Sequence, residues 1–386
     1  MYNIKKLNEI SPVVGEILGE SYNVSADIDN EDGIILRSFK MHDYEVGTNL
    51  LAVARAGAGV NNIPIDKMTE KGIAVFNTPG ANANAVKELV IATLLLGSRK
   101  IVRGANWAQS LKGQDEVAKL VEKGKKQFVG QEIQGKTLGI VGLGAIGRMV
   151  ANAAIELGMN VLGYDPYISV DGAWSLHREV HHITDINELY TKSDFITVHV
   201  PLTDSTRGQI NKDTIAMMKD GVVIINCARG ELVNNDDIIE AVENGKVGRY
   251  VCDFPCDALL GHDNIICIPH LGASTPEAEE NCAQMAAREL RDFIENGNVT
   301  NSVNFPNARS PRTGEKRITI LHENKATMIA KATSMLSEGG VNIENMTSQS
   351  RGNLGYMILD TVGELPENTL DVLSQVDGFI KVRIID

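Results

Sequence analysis

The sequence predicts an α/β protein in which one parallel-sheet domain is inserted into a second α/β domain and a small βαββαβ domain follows. Three observations carry this expectation. A glycine pattern, Gly142-Leu143-Gly144-Ala145-Ile146-Gly147, opens about a third of the way along the 386 residues, so a substantial piece of chain precedes it. From Thr137 onward, short apolar runs alternate with segments of helical periodicity, the signature of a doubly wound parallel sheet. After Val303 the texture changes: residues 304–316 hold two prolines, a glycine and several charges without periodicity, as a linker does.

Taken in order, residues 33–37 and 51–54 are strand-like, 65–71 helical and 73–76 a further strand. Residues 82–111 read as one long helix, apolar nearly all round over 86–96 and therefore largely buried there. The inserted domain begins with a buried strand at 137–141 and a helix at 145–157, followed by strands at 160–164, 195–200, 222–226, 249–253 and 264–268. Thr275-Pro276-Glu277 starts a helix, with Thr as cap and Pro in the first turn, that runs to Asn296-Gly297 and leads back to the first domain. The expected domains are thus 1–98 with 283–306, an inserted 99–282, a linker at 307–316, and 317–386. The last of these reads as strand 317–322, helix 327–339, strands 341–350 and 355–362 about Arg351-Gly352-Asn353, helix 368–374 and strand 380–385. That order is the ferredoxin-like split βαβ, which does not itself imply a function.

A net charge of -13 argues against nucleic acid as a partner, and an anionic substrate needs a local basic cluster. No apolar stretch approaches a membrane span, and the polar start lacks a signal-peptide pattern, so the expectation is a cytoplasmic protein with no membrane contact. The five cysteines, Cys227, Cys252, Cys256, Cys267 and Cys282, form no CxxC pair or disulfide framework; reduced thiols are expected, and no metal site.

The glycines sit where a dinucleotide needs them. Gly142 permits the tight turn after the strand, Gly144 lets backbone approach a pyrophosphate, and Gly147 lets helix and strand pack closely. Phosphate oxygens would face the amides around Ala145 and Ile146 at the positive end of the helix. Asp165 follows about twenty residues later, where an acid hydrogen-bonds the adenosine ribose hydroxyls, and no Arg adjoins it to receive a 2′-phosphate. The cofactor read from this pattern is NAD rather than NADP. Arg229, in Asn226-Cys227-Ala228-Arg229-Gly230, lies at the carboxyl end of a strand, where a guanidinium grips a carboxylate with two parallel bonds. His270 lies at the end of another strand, and a hydroxy-acid oxidation needs a base that titrates near working pH to take the hydroxyl proton.

With His199-Val200-Pro201-Leu202 and Pro269-His270-Leu271-Gly272-Ala273-Ser274-Thr275, these motifs closely resemble the D-isomer-specific 2-hydroxyacid dehydrogenases, in the family's order over most of residues 30–305. The resemblance implies a Rossmann domain inserted in a flavodoxin-like substrate domain, with the active site in the cleft between them. It implies that Arg229 binds the substrate carboxylate, that His270 is the acid/base, and that the amides of Ala58, Gly59 and Val60 help to hold the carboxylate. By the same resemblance Asp253 hydrogen-bonds the nicotinamide carboxamide, His199, Val200 and Pro201 line the adenine side, and Cys227, Ala228 and Gly272 join the cofactor contacts. The Arg55-Ala56-Gly57-Ala58-Gly59-Val60 loop and the Asn77-Thr78-Pro79 turn look most like the members that act on D-3-phosphoglycerate. That implies oxidation to 3-phosphohydroxypyruvate, the first step toward serine, with Arg37 and Arg55 as the basic cluster a phosphate demands. The alternatives are another D-2-hydroxyacid, glycerate or 2-hydroxyglutarate, and a binding protein that senses NAD without chemistry.

One departure stands out. Family members usually carry a Glu-Pro shortly after the acid matching Asp253, and that Glu orients the catalytic His. Here the chain runs Asp253-Phe254-Pro255-Cys256-Asp257-Ala258, with no Glu before His270, and Asp257 is the expected substitute unless His270 works without a carboxylate. At the C-terminus, His322-Glu323-Asn324 and Gly340-Val341-Asn342-Ile343 resemble the ACT-type regulatory domain. That implies L-serine contacts from His322, Asn324 and Asn342, although Lys325-Ala326-Thr327 lacks the usual glycine. The family also implies a homodimer or homotetramer, for which the helix ending near Leu111, Trp107 and the basic Lys123-Gly124-Lys125-Lys126 are candidate contacts, a solvated charge run being the alternative for the basic segment.

Overall fold

The apolar runs become strands because both faces of a parallel sheet are covered, so a strand there has no polar side to show. The computed structural model describes all 386 residues, in two units: Met1–Ala81 with Glu279–Asp386, and Asn82–Ala278.

In the first unit, β1 (Tyr2–Leu7), β2 (Tyr22–Ser25), β3 (Gly33–Leu36), β4 (Ala52–Arg55) and β5 (Ala74–Phe76) form a parallel sheet in the order β2-β1-β3-β4-β5. This is the flavodoxin-like order. The strands read from sequence, β3 to β5, are buried almost throughout, whereas β1 buries only Ile4 and Leu7 and so shows no strand period. The helix Pro276–Asn296 lays Ala283, Ala286, Ala287, Leu290 and Phe293 into the core with Ile35, Ala54 and Phe76.

The second unit holds β6 (Thr137–Val141), β7 (Asn160–Tyr164), β8 (His181–His182), β9 (Phe195–Val198), β10 (Val222–Asn226), β11 (Val247–Cys252) and β12 (Ile265–Cys267). Their order, β12-β11-β10-β9-β6-β7-β8, reverses direction between β6 and β9, which is the Rossmann switch point. The expected 82–111 helix is in fact two, Ala83–Ser98 and Ile101–Ser110, with an extended residue at Arg99 (φ -120°, ψ 141°) between them. The break has an electrostatic cause. Arg249, 7% exposed, points Nη1 at the carbonyls of Leu96, Gly97 and Arg99 (3.0, 3.3 and 3.1 Å), capping the negative end of the first helix. That helix buries Val86, Val90 and Leu94 in one cluster with Leu138, Val223 and Val251, so the unit boundary falls at 81/82 and 278/279 rather than at the expected 98/99 and 282/283.

Back in the first unit, β13 (Lys316–Glu323), β14 (Asn342–Arg351), β15 (Leu354–Val362) and β16 (Phe379–Ile385) form an antiparallel sheet in the order β14-β15-β13-β16. One face, with Ile318, Ile320, Met357 and Leu359, is covered by the helices Met328–Glu338 and Thr369–Ser374. The other face joins the core of the five-stranded sheet, Leu321, Tyr356 and Ile358 packing with Phe76, Phe293 and Phe305. The segment expected to be a bare linker is therefore pinned. Arg317, fully buried, uses its guanidinium on both carboxylate oxygens of Asp360 (2.6 and 2.9 Å) and on the carbonyls of Asn296, Ser310 and Pro311.

Candidate functional site

The nucleotide end of the second unit is set by steric exclusion. Gly142 has φ 94°, and a Cβ there would meet His199 C and O at 2.8 Å; a Cβ on Gly147 would lie 2.0 Å from Gly142 O. Around Gly144, by contrast, nothing lies within 4 Å of the Cβ position, so the backbone there is open to a ligand. The helix that starts at Ala145 offers its first amides, Ala145 and Ile146 included, without an intrahelical acceptor. Asp165, just past β7, accepts from Leu143 N at 2.8 Å and Tyr167 N at 2.9 Å, which locks the glycine turn while each oxygen keeps a lone pair for a further donor. These residues fit a dinucleotide: a cradle for a pyrophosphate and an acid for a ribose.

His199 and Val200 pack against Gly142, and Pro201 O takes the Thr206 hydroxyl at 2.6 Å. His199 Nε2 meets Thr197 Oγ1 at 3.0 Å, its Nδ1 is enclosed without a partner, and burial pushes its pKa down to about 4, so the ring is neutral at pH 7.

Arg229, Asp253 and His270 leave the carboxyl ends of β10, β11 and β12, three neighbouring parallel strands. The buried Asn226 shapes the first turn, donating to Arg229 O (2.8 Å) and accepting from Ala228 N (3.1 Å). Arg229 itself is exposed, and its one protein hydrogen bond from the guanidinium goes to Ala228 O (2.6 Å), so the rest of the fork can take an anion. Beneath it, the Cys227 thiol is pushed up to about 12 by burial and by Asp253, which makes it inert. Asp253 is 1% exposed and accepts from Leu271 N at 2.7 Å and Gly272 N at 2.9 Å. It therefore anchors the loop that carries His270, a role beyond the cofactor contact expected of it.

His270 has φ 55°, a left-handed conformation that non-glycine residues rarely adopt, and its exposed ring leans on Phe254 with centroids 4.9 Å apart. The expected Asp257–His270 pair does not form. Asp257, itself exposed, starts a helical turn, Asp257–Leu259, and the one His–carboxylate pair in the chain is His262 with Glu243 at 3.4 Å. The turn closes on itself through Leu259 N to Cys256 O. Phe254 gave no sequence signal, because an aromatic beside a loop is ordinary until its neighbour in space is known. The five cysteines are free.

In the first unit the Arg55 to Val60 loop is held at two points: Thr78 Oγ1 accepts from Gly57 N at 2.8 Å, and Asn77 Nδ2 donates to Ala58 O at 2.6 Å. The amides of Ala58, Gly59 and Val60 donate to no protein acceptor. Arg55 Nε donates to Arg37 O at 2.9 Å, and Arg37 Nη1 lies 2.5 Å from Glu279 Oε1, a partner 242 residues away that no local pattern announces.

The effector residues do not converge within the chain. His322 is 4% exposed, with Nδ1 on Glu323 O (2.7 Å) and its ring where a Gly355 Cβ would stand (2.1 Å from Cε1). His322 pairs with Gly355 on β15 but Asn342 pairs with Val362, so they lie at opposite ends of the sheet; Asn324 binds the turn at Gly352 O. Burial removes His322 as a surface contact.

The sequence model of the D-isomer specific 2-hydroxyacid dehydrogenase NAD binding domain matches residues 91–272. D-3-phosphoglycerate dehydrogenase of Methanocaldococcus jannaschii is 38% identical over 304 residues, 77% of this chain and 55% of that protein, so the chain spans about half the length of that relative. Hydroxypyruvate reductase of Thermotoga maritima is 43% identical over 245 residues, 61% of this chain and 74% of that protein. The crystal structure of NAD+-bound 3-phosphoglycerate dehydrogenase from Entamoeba histolytica superposes with a TM-score of 0.61 at 27% identity, covering 78% of this chain and 98% of that one.

Proposed function

The chain belongs to the D-isomer specific 2-hydroxyacid dehydrogenases, and on that premise we propose that it oxidises D-3-phosphoglycerate to 3-phosphohydroxypyruvate with NAD, the first step toward serine. The observation that carries the reading is that Arg229 and His270 follow the carboxyl ends of β10 and β12, two strands on either side of β11 in one parallel sheet, with the glycine turn at its switch point. Gly144, Ala145 and Ile146 would hold the pyrophosphate of NAD and Asp165 its ribose. NAD, when bound, supplies the hydride acceptor. Arg229 grips the substrate carboxylate and fixes the C2 hydroxyl, and the unprotonated ring nitrogen of His270 takes that hydroxyl's proton as the C2–H bond breaks. The free amides of Ala58 to Val60 add donors for the carboxylate, and Arg37 and Arg55 take the phosphate.

A second reading, D-glycerate as substrate, is favoured by the Thermotoga relative. Two arginines serve no purpose for a hydroxymethyl tail, which is why the phosphorylated acid is preferred. The test is a steady-state assay with NAD and D-3-phosphoglycerate beside D-glycerate and D-2-hydroxyglutarate. The highest kcat/KM belongs to D-3-phosphoglycerate; an equal or higher value for D-glycerate replaces this reading with the second.

The reading also makes the chain a cytoplasmic homo-oligomer. In support of the oligomer, the helices Ile101–Ser110 and Val117–Gly124 bury no residue and leave Ile101, Val102 and Val117 exposed. Serine would have to be bound between two copies, since one chain holds Asn324 and Asn342 apart.

A further inference from the structure

The arginines assigned to the substrate's tail carry a counter-ion that the proposed reaction does not use. Arg37 Nη1 and Glu279 Oε1 are 2.5 Å apart, with the two side chains 40% and 47% exposed. Arg55 closes the group from the other side: its Nε is bonded to Arg37 O, and its Nη1 lies 2.8 Å from where a Gly57 Cβ would be. Cys282, one turn beyond Glu279 on the same helix, senses all three charges, Arg37, Arg55 and Glu279, while burial keeps its thiol protonated. Arg37, Arg55 and Glu279 thus all lie close enough to act on one buried thiol, and Glu279 is the carboxylate paired with Arg37.

Resting on the function proposed above, we propose that Glu279 is an internal competitor of the substrate's phosphate for Arg37: it neutralises and holds the guanidinium in the free enzyme and is displaced when a phosphorylated acid binds. The pair suits that exchange. A half-exposed ion pair is weak, so little is lost when it opens, whereas a guanidinium with a phosphate forms two parallel charge-assisted bonds. After the exchange the Glu279 carboxylate remains near a dianion, and that repulsion, screened by salt, weakens the hold on substrate and product alike. A neutral hydroxymethyl tail offers Arg37 nothing and leaves the pair closed. Glu279 therefore sets the affinity for the phosphorylated acid without touching the reacting carbon.

Glu279→Gln keeps the length of the side chain and an acceptor oxygen for Arg37 while removing the charge. In steady-state assays at low salt, KM for D-3-phosphoglycerate falls roughly two- to tenfold, and KM for D-glycerate stays as in the parent. Titration calorimetry with inorganic phosphate on the full chain shows the same tightening. An unchanged or raised KM for the phosphorylated acid, or an equal change for both substrates, overturns the proposal, because Glu279 then only holds Arg37 in place. A parent enzyme that turns over D-glycerate but not D-3-phosphoglycerate overturns the assigned reaction instead. In that case the phosphate titration alone decides on Glu279: tighter binding in the variant supports the competition, and equal binding rejects it.

Discussion

Asp253→Asn tests whether a buried carboxylate holds the loop that presents His270. Asp253 is 1% exposed, and its two oxygens accept from Leu271 N (2.7 Å) and Gly272 N (2.9 Å). Asparagine has nearly the same shape but one acceptor oxygen, and its NH2 must face one of those amides. One bond is lost with two donors left opposed, and the other changes from charge-assisted to neutral. A hydrogen bond to a charged group contributes about 1.5–3 kcal/mol and an unsatisfied buried group costs about 1–3 kcal/mol, so the loop loses about 3–5 kcal/mol of support. His270 is sensitive to this because its left-handed backbone, φ 55°, is itself unfavourable by about 1–3 kcal/mol and persists only while its surroundings impose it. Once the anchor weakens, the ring leaves Phe254 and the base is misplaced. A displacement of that kind lowers kcat by about a hundredfold. The assay is kcat at saturating NAD and substrate, with amide hydrogen exchange at residues 269–273 as a direct readout of loop opening. A variant with kcat within threefold of the parent and unchanged exchange refutes the argument.

Two further predictions follow from close contacts elsewhere. Gly147→Ala places a Cβ 2.0 Å from Gly142 O and should abolish NAD binding together with a loss of thermal stability; Gly144→Ala, with open space around it, should keep the stability and weaken only NAD binding. Equal stability of the two variants in thermal unfolding argues against this account. Arg317→Met strands the buried Asp360 and should cost about 3–5 kcal/mol at pH 7 by urea unfolding. Burial raises the Asp360 carboxyl pKa, but the Arg317 hydrogen bonds and charge bring it below its ordinary value, so in the parent this contribution is present at neutral pH and lost as pH falls through the lowered value. In the variant only the burial persists, protonation relieves the stranded charge, and stability should rise from pH 7 to pH 5; a fall over that window counts against the reasoning.

Much of the candidate site was legible because its signals are local. The glycine turn, Asp165, Arg229 and His270 each sit at a strand's end, and strand, turn and helix follow from residues next to one another in the chain. The βαββαβ order at 317–386 was legible for the same reason. Asp257 is not paired with His270, because closeness in sequence does not fix which side chains meet: Asp257 starts a short helical turn, Asp257–Leu259, and makes no ion pair with the histidine. Strands β1 and β2 went unread because burial of Ile4 and Leu7 alone leaves no alternation to see.

By itself, then, the sequence determined the order of the elements, the two sheet periodicities, the cofactor turn and the residue types at the chemical centre, all of which depend on contacts within a few residues. Only the tertiary structure decided what meets across long separations. Arg249 ends a helix that propensity would have continued, since three carbonyls from residues 96–99 fold onto its guanidinium. Arg317 and Tyr356 fasten the last domain to the first through Asn296 O and Gly297 O, turning an expected linker into shared core. Asp253 and Phe254 position His270, and Glu279 comes from far along the chain to Arg37. Such pairings are set by the packing of whole sheets and helices, and that packing has no trace in the spacing of neighbouring residues.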